Sequence, residues 1–135
     1  MAIQGLDHVA LPTANPVAMM EFYQALGFGV PDESLWRDVP NPRLSIQCGQ
    51  QKINLHEPAQ WQDPAFTLRG PTAQPGCGDL CFVWDGSFDD LYAALARAGA
   101  AVIAGPVKRI GGRGHGMSVY TRDPDNNLLE FIVYE

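Results

Sequence analysis

The chain has 135 residues, 46% hydrophobic and 18% charged, which is enough for one domain with a buried core and too little for two ordinary ones. Its formal charge of −6 excludes the clustered Lys and Arg that nucleic-acid phosphates require, and no apolar run approaches the ~18 residues of a membrane span. The start, MAIQGLDHVAL, has neither the basic residues nor the long apolar stretch of a leader, so a cytoplasmic location is expected.

Residues 6–11 alternate and predict a strand. Asn15 and Pro16 then form an N-cap and N1 pair, Val17, Met20, Tyr23 and Leu26 recur at helical spacing, and Gly27 stops the helix. Short strands are expected at 34–37, 43–48 and 52–56. Residues 57–76 carry Pro58, Pro64, Pro71 and Pro75, too many for a helix, and read as a linker that packs through Trp61, Phe66 and Leu68. A strand follows at 79–83. Ser87 with Asp90 starts a second helix, and Leu91, Leu95 and Ala98 stripe it as far as Gly99. Strands are expected again at 101–103, 116–121 and 127–133. Between them, Lys108, Arg109 and Arg113 form the only basic cluster, and the glycine-rich stretch 111–116 reads as a loop able to act as a lid. Cys48, Cys77 and Cys81 are odd in number and lack CxxC spacing, which predicts reduced thiols.

Each half therefore spells strand, helix, strand, strand, strand. The expected fold is α+β, a single domain over 1–135. Two tandem βαβββ modules, 3–56 and 77–135, joined by linker 57–76, put their mixed sheets around one open cleft. Aligning the halves sets His8 against Asp79 (8 + 71 = 79) and His56 against Glu130 (56 + 74 = 130).

Glu130 lies among Leu128, Leu129, Phe131, Ile132 and Val133, and an isolated carboxylate in an apolar strand needs a partner such as a metal ion. His8, His56, Asp79 and Glu130 together make two imidazoles and two carboxylates. That set suits one divalent ion per site (Zn, Ni, Co, Fe(II) or Mn) with open positions for a substrate. Each residue also has a plain structural reading: His8 as a histidine bonded to backbone, His56 as a solvated strand end, Asp79 as a turn residue.

From Gly5-Leu6-Asp7-His8-Val9-Ala10-Leu11 to Tyr120-Thr121-Arg122-Asp123-Pro124-Asp125-Asn126-Asn127-Leu128-Leu129-Glu130-Phe131, the chain resembles the vicinal-oxygen-chelate (glyoxalase/bleomycin resistance/dioxygenase) superfamily. The second stretch looks like that family's closing hairpin, with Asn126 where Gly is usual. Lys52-Ile53-Asn54-Leu55-His56-Glu57 and Gly105-Pro106-Val107-Lys108-Arg109 look closest to the branch of glyoxalase-domain-containing protein 5 and lactoylglutathione-lyase-like proteins.

The resemblance implies a homodimer that binds a small molecule and a metal at His8, His56, Asp79 and Glu130. It departs from glyoxalase I and the extradiol dioxygenases at Asp79, where those enzymes carry His. Three functions follow as expectations. A glyoxalase-like lyase or isomerase would use Glu130 as base. An extradiol-type dioxygenase would draw on Tyr120 and His115. A bleomycin-resistance-like protein would bind a drug or metabolite without chemistry. Arg113 is a candidate clamp for an anionic group, and Cys81, two residues after Asp79, points at the same cavity.

Overall fold

In a computed structural model describing all 135 residues, two modules carry a three-stranded and a four-stranded sheet. The first module contains β1 (His8–Pro12), α1 (Pro16–Leu26), β2 (Ser45–Cys48) and β3 (Gln51–His56). A one-turn helix, α2 (Pro58–Trp61), stands in the connection. The second module contains β4 (Asp79–Val83), α3 (Phe88–Arg97), β5 (Ala104–Gly111), β6 (Gly114–Arg122) and β7 (Leu128–Tyr134). Strand orders are β1-β3-β2 and β4-β7-β6-β5, with the first and last strands of each module parallel. No helix is long and apolar enough to cross a membrane.

Helix α1 starts with Pro16 at its first turn and ends at Gly27, whose φ of 105° only glycine adopts without strain. Helix α3 is capped by Ser87, whose side chain accepts from the Asp90 backbone N–H at 3.1 Å; Asp89 and Asp90 sit at its positive end and Arg97 at its negative end. Met19, Met20, Tyr23 and Leu26 of α1 pack on Ile46, Ile53 and Leu55, while Leu91, Ala94 and Leu95 of α3 pack on Val119, Leu129 and Phe131. The two groups form one core, bridged by edge-to-face contact of Phe28 with Phe82 at 4.9 Å.

A second junction is polar and buried. The Tyr23 hydroxyl donates to Asp123 Oδ2 at 2.7 Å, Asp125 Oδ1 accepts from the Ala14 N–H and from Asn15 Nδ2, and Asn127 Oδ1 accepts from the Gly78 N–H. Burial pushes the Asp123 carboxyl up and the Tyr23 hydroxyl up with it. Asn126 takes φ 72°, the left-handed turn conformation expected at that position.

Four sequence expectations shift. At 34–37 the chain forms a 3-10 turn, Glu33–Leu35, because Asp32 captures both the backbone N–H and the hydroxyl of Ser34 and competes with strand pairing. The first sheet is left with three strands and a lone bridge between Gly29 and Gln47. The strand expected at 101–103 begins instead at Ala104; it runs along the sheet edge, where Pro106 costs no ladder bond. The stretch 111–116 is no loop or lid, since only Gly112 and Arg113 turn between β5 and β6. The Pro-rich connection does hold a helical turn, because Pro58 sits at the first position, where no N–H is needed.

Candidate metal and substrate site

Strand pairing decides which side chains share a face, because they alternate along each strand and Cα partners point the same way. On the first sheet, Val9, Leu11, Ile46, Ile53 and Leu55 turn toward α1, leaving His8, Ala10, Lys52, Asn54 and His56 on the other face. On the second sheet, Leu80, Phe82, Val119, Leu129 and Phe131 turn toward the core. Asp79, Cys81, Ser118, Tyr120 and Glu130 share the opposite face.

His8 begins β1 with its side chain 47% exposed. Its Nδ1 is 2.7 Å from Asp7 Oδ1, which holds the Asp7 carboxyl below its usual range and leaves Nε2 free to bind outward. A carboxylate behind a histidine in this way is the arrangement that orients metal-ligating imidazoles. Glu130 lies midway along β7, where Oε2 accepts from the Ser118 hydroxyl at 2.6 Å and Oε1 has no hydrogen-bond partner. Cys81 is its Cα partner across β4, and burial together with the Glu130 charge pushes the Cys81 thiol up to about 11. Both act against the thiolate, the form in which a cysteine reacts as a nucleophile. Tyr120 is the partner of Glu130 on the other side.

The paired registers also align the two modules residue by residue. His8 is partnered by Lys52 as Asp79 is by Leu128, and Ala10 by Asn54 as Cys81 is by Glu130. The counterpart of Glu130 is therefore Asn54, and His56, paired with Pro12, corresponds to Ile132, paired with Val83. His56 shares the open face but lies four residues, ~13 Å, from the His8 row. It is also covered: the Phe66 ring meets it edge-to-face at 5.1 Å, and burial and the Arg69 charge lower its affinity for protons. A neighbouring guanidinium opposes a cation there as well.

His115 falls on the face of Met117, Val119 and Thr121, away from Glu130, so it cannot act with Glu130 and Tyr120 within one sheet. Arg113 caps the β5–β6 hairpin, its guanidinium 5.8 Å from the Tyr134 ring centre. Arg109, read in the sequence only as part of the basic cluster with Lys108 and Arg113, stacks on Tyr120 at 5.5 Å and donates from Nε to its hydroxyl at 2.8 Å. Asn54 was missed; only the pairing register reveals it.

Within one chain no three His, Cys, Asp or Glu side chains gather to hold a metal ion. The donors instead form two half-sets, His8 and Asn54 on one sheet and Asp79 and Glu130 on the other. In each half-set one donor is already oriented by a second group, which is the chemistry a divalent ion needs of its ligands.

The same architecture recurs in known proteins. Virulence protein STM3117 of Salmonella typhimurium is 34% identical over 99% of this chain and 87% of its own length. Its crystal structure superposes with a TM-score of 0.81 at 33% identity, covering 100% of both chains. Integron cassette protein VCH_CASS1 of V. cholerae superposes at 0.82 with 33% identity, covering 100% of this chain and 98% of its own. Glyoxalase domain-containing protein RDO1 of Mycosarcoma maydis is 36% identical over 100% of this chain and 71% of its own length. With two βαβββ-type modules and residues 5–131 matched by the family model, the chain belongs to the Glyoxalase/Bleomycin resistance protein/Dioxygenase superfamily.

Proposed function

We propose that the protein is a metal-dependent lyase or isomerase of the glyoxalase type, acting by proton transfer on a small substrate with two adjacent oxygens. The observation that carries this reading is the pair of pre-oriented donors, His8 backed by Asp7 and Glu130 backed by Ser118, on open sheet faces. His8, Asp79 and Glu130 would hold one divalent ion, with Asn54 in the place first given to His56. This set has more oxygen than the one read from sequence, and favours Mn, Fe(II) or Co over Zn. When bound, such an ion supplies Lewis acidity to the substrate's adjacent oxygens. Glu130 accepts and returns the substrate proton, and Ser118 holds the carboxylate in place by its hydrogen bond.

A homodimer belongs to the same reading. β1 and β4 are free sheet edges, and Ile3, Leu6, Val9 and Val83 near them are exposed. Pairing β1 of one copy with β4 of another covers these side chains and unites the half-sets.

Metal analysis of protein purified without added metal tests the site. About one ion per chain is expected, lost in His8→Ala, Asn54→Ala and Glu130→Ala and kept in His56→Ala. Light scattering should give about 29 kDa, twice the 14.7 kDa chain. Glu130→Gln should lower turnover by ~10²–10⁴ with little change in substrate binding, and activity should continue without oxygen. Cleavage of a catechol with stoichiometric uptake of O2 would overturn the reading in favour of a dioxygenase.

One observation favours a second reading, binding without chemistry. Phe28, Phe82, Trp84, Phe131 and Tyr134 line an aromatic cleft of about 790 Å³ between the modules. A metal-free protein stabilised only by aromatic drugs would move the assignment there.

A further inference from the structure

Fifteen acidic residues outnumber nine basic ones in this chain, yet residues 91–122 contain no acid. They hold five of the nine cations: Arg97, Lys108, Arg109, Arg113 and Arg122. The ion pairs of the structure are Asp7 with His8 and Arg37 with Glu21 and Glu33, so none of these five is neutralised.

Arg109 is the one whose position has a chemical consequence. Its Cα partner on β6 is Gly116, on the same face as Ser118, Tyr120 and Glu130. Its guanidinium is not adrift. Nε donates to the Tyr120 hydroxyl at 2.8 Å, Nη1 donates to the Lys108 carbonyl at 2.9 Å, and the plane lies over the Tyr120 ring. Two of its nitrogens are held, and Nη2 is left free at the sheet's outer rim. Lys108 pairs with Met117 and points to the other face. Tyr120 in turn is the Cα partner of Glu130. Arg109 starts two strands from Glu130 and four residues off its row, since its partner Gly116 pairs with Tyr134, and its side chain reaches the hydroxyl of Tyr120, which stands in the Glu130 row. This arrangement suits a small molecule with reacting oxygens at one end and a charged group at the other.

We propose that Arg109, locked on the Tyr120 ring, is an anion-binding, specificity-determining residue, and that the substrate carries a carboxylate or phosphate tail beyond its two adjacent oxygens. This rests on the second sheet's open face being the substrate face, and it names the substrate class. Arg113, stacked on Tyr134 at the hairpin tip, adds positive field at the mouth of the same face.

Calorimetric titration with glycolate, malate and 3-phosphoglycerate tests it, since all three present the same adjacent hydroxyl and carboxylate oxygens and differ in the tail. Metal-loaded protein should bind malate, 3-phosphoglycerate or both at least about 10-fold more tightly than glycolate. The tail that wins identifies the group as carboxylate or phosphate. Arg109→Gln should abolish the preference, Arg109→Lys should keep only part of it, and Tyr120→Phe should weaken it by freeing the guanidinium. Lys108→Gln removes the same charge from the opposite face and should leave it intact. Circular dichroism of each variant guards against misfolding. An unchanged preference in a folded Arg109→Gln protein, or equal loss in Lys108→Gln, would overturn the proposal. Repeating the titration on metal-free protein separates the two readings. Tail-dependent binding that persists while no metal is ever retained would leave the anion site standing and the metal site refuted.

Discussion

Cys81 and Glu130 face each other across β4 and β7, and the Glu130 charge adds to burial in pushing the thiol up. Removing that charge should therefore show at the sulfur. In Glu130→Gln the amide no longer repels a thiolate, so alkylation of Cys81 at pH 8 should speed up, roughly tenfold for each unit its pKa falls. Cys48, whose thiol is raised by burial alone, is the internal standard, and the Cys81-to-Cys48 ratio is read by mass spectrometry. An unchanged ratio would mean that Glu130 exerts no field on the thiol. Three of the proposed site positions, His8, Asp79 and Glu130, stand out in the sequence because chemistry-bearing residues interrupt hydrophobic strands. The alignment of His56 with Glu130 was two residues off because such a shift preserves the alternation: His56 and Asn54 share a face, and only hydrogen-bonded register separates their rows. Arg109 was visible as part of the basic cluster, but its distinction from Lys108 and Arg113 depends on Tyr120 in a neighbouring strand.

Helices α1 and α3 were readable to within a residue or two because capping residues and period combine in them, and so were β4, β6 and β7, whereas β5 moved. β5 carries Gly105, Pro106, Gly111 and charged residues, a composition that resembles a loop until an edge position explains it. The buried link from α1 to the turn before β7 is likewise a product of tertiary structure. Asp123 accepts from the Tyr23 hydroxyl, from the Asp125 and Asn127 backbone N–H groups and from Asn127 Nδ2. Tyr23→Phe keeps the packing against Phe22 and Phe28 but strands a buried carboxylate without one of its donors. A loss of about 1–3 kcal/mol in unfolding free energy is expected, measured by urea denaturation. Tyr23→Phe as stable as the native chain would show that water replaces the hydroxyl.

At the scale of the whole molecule, the two sheets are separate surfaces, each carrying one oriented donor and each ending in an unpaired edge. If the dimer joins β1 of one copy to β4 of the other, every site draws His8 from one chain and Glu130 from its partner. Two defective proteins should then repair one another. A mixture of His8→Ala and Glu130→Ala chains, each inactive alone, would unite both lesions in one site of a mixed dimer and leave the other site wholly native. Random exchange of equal amounts makes about half the dimers mixed, so about a quarter of the sites should regain metal and activity. A site built within single chains would show no recovery at any mixing ratio. In such a dimer the separation of the proposed donors onto two sheets would make function a property of the pair, heritable in pieces and restorable by assortment.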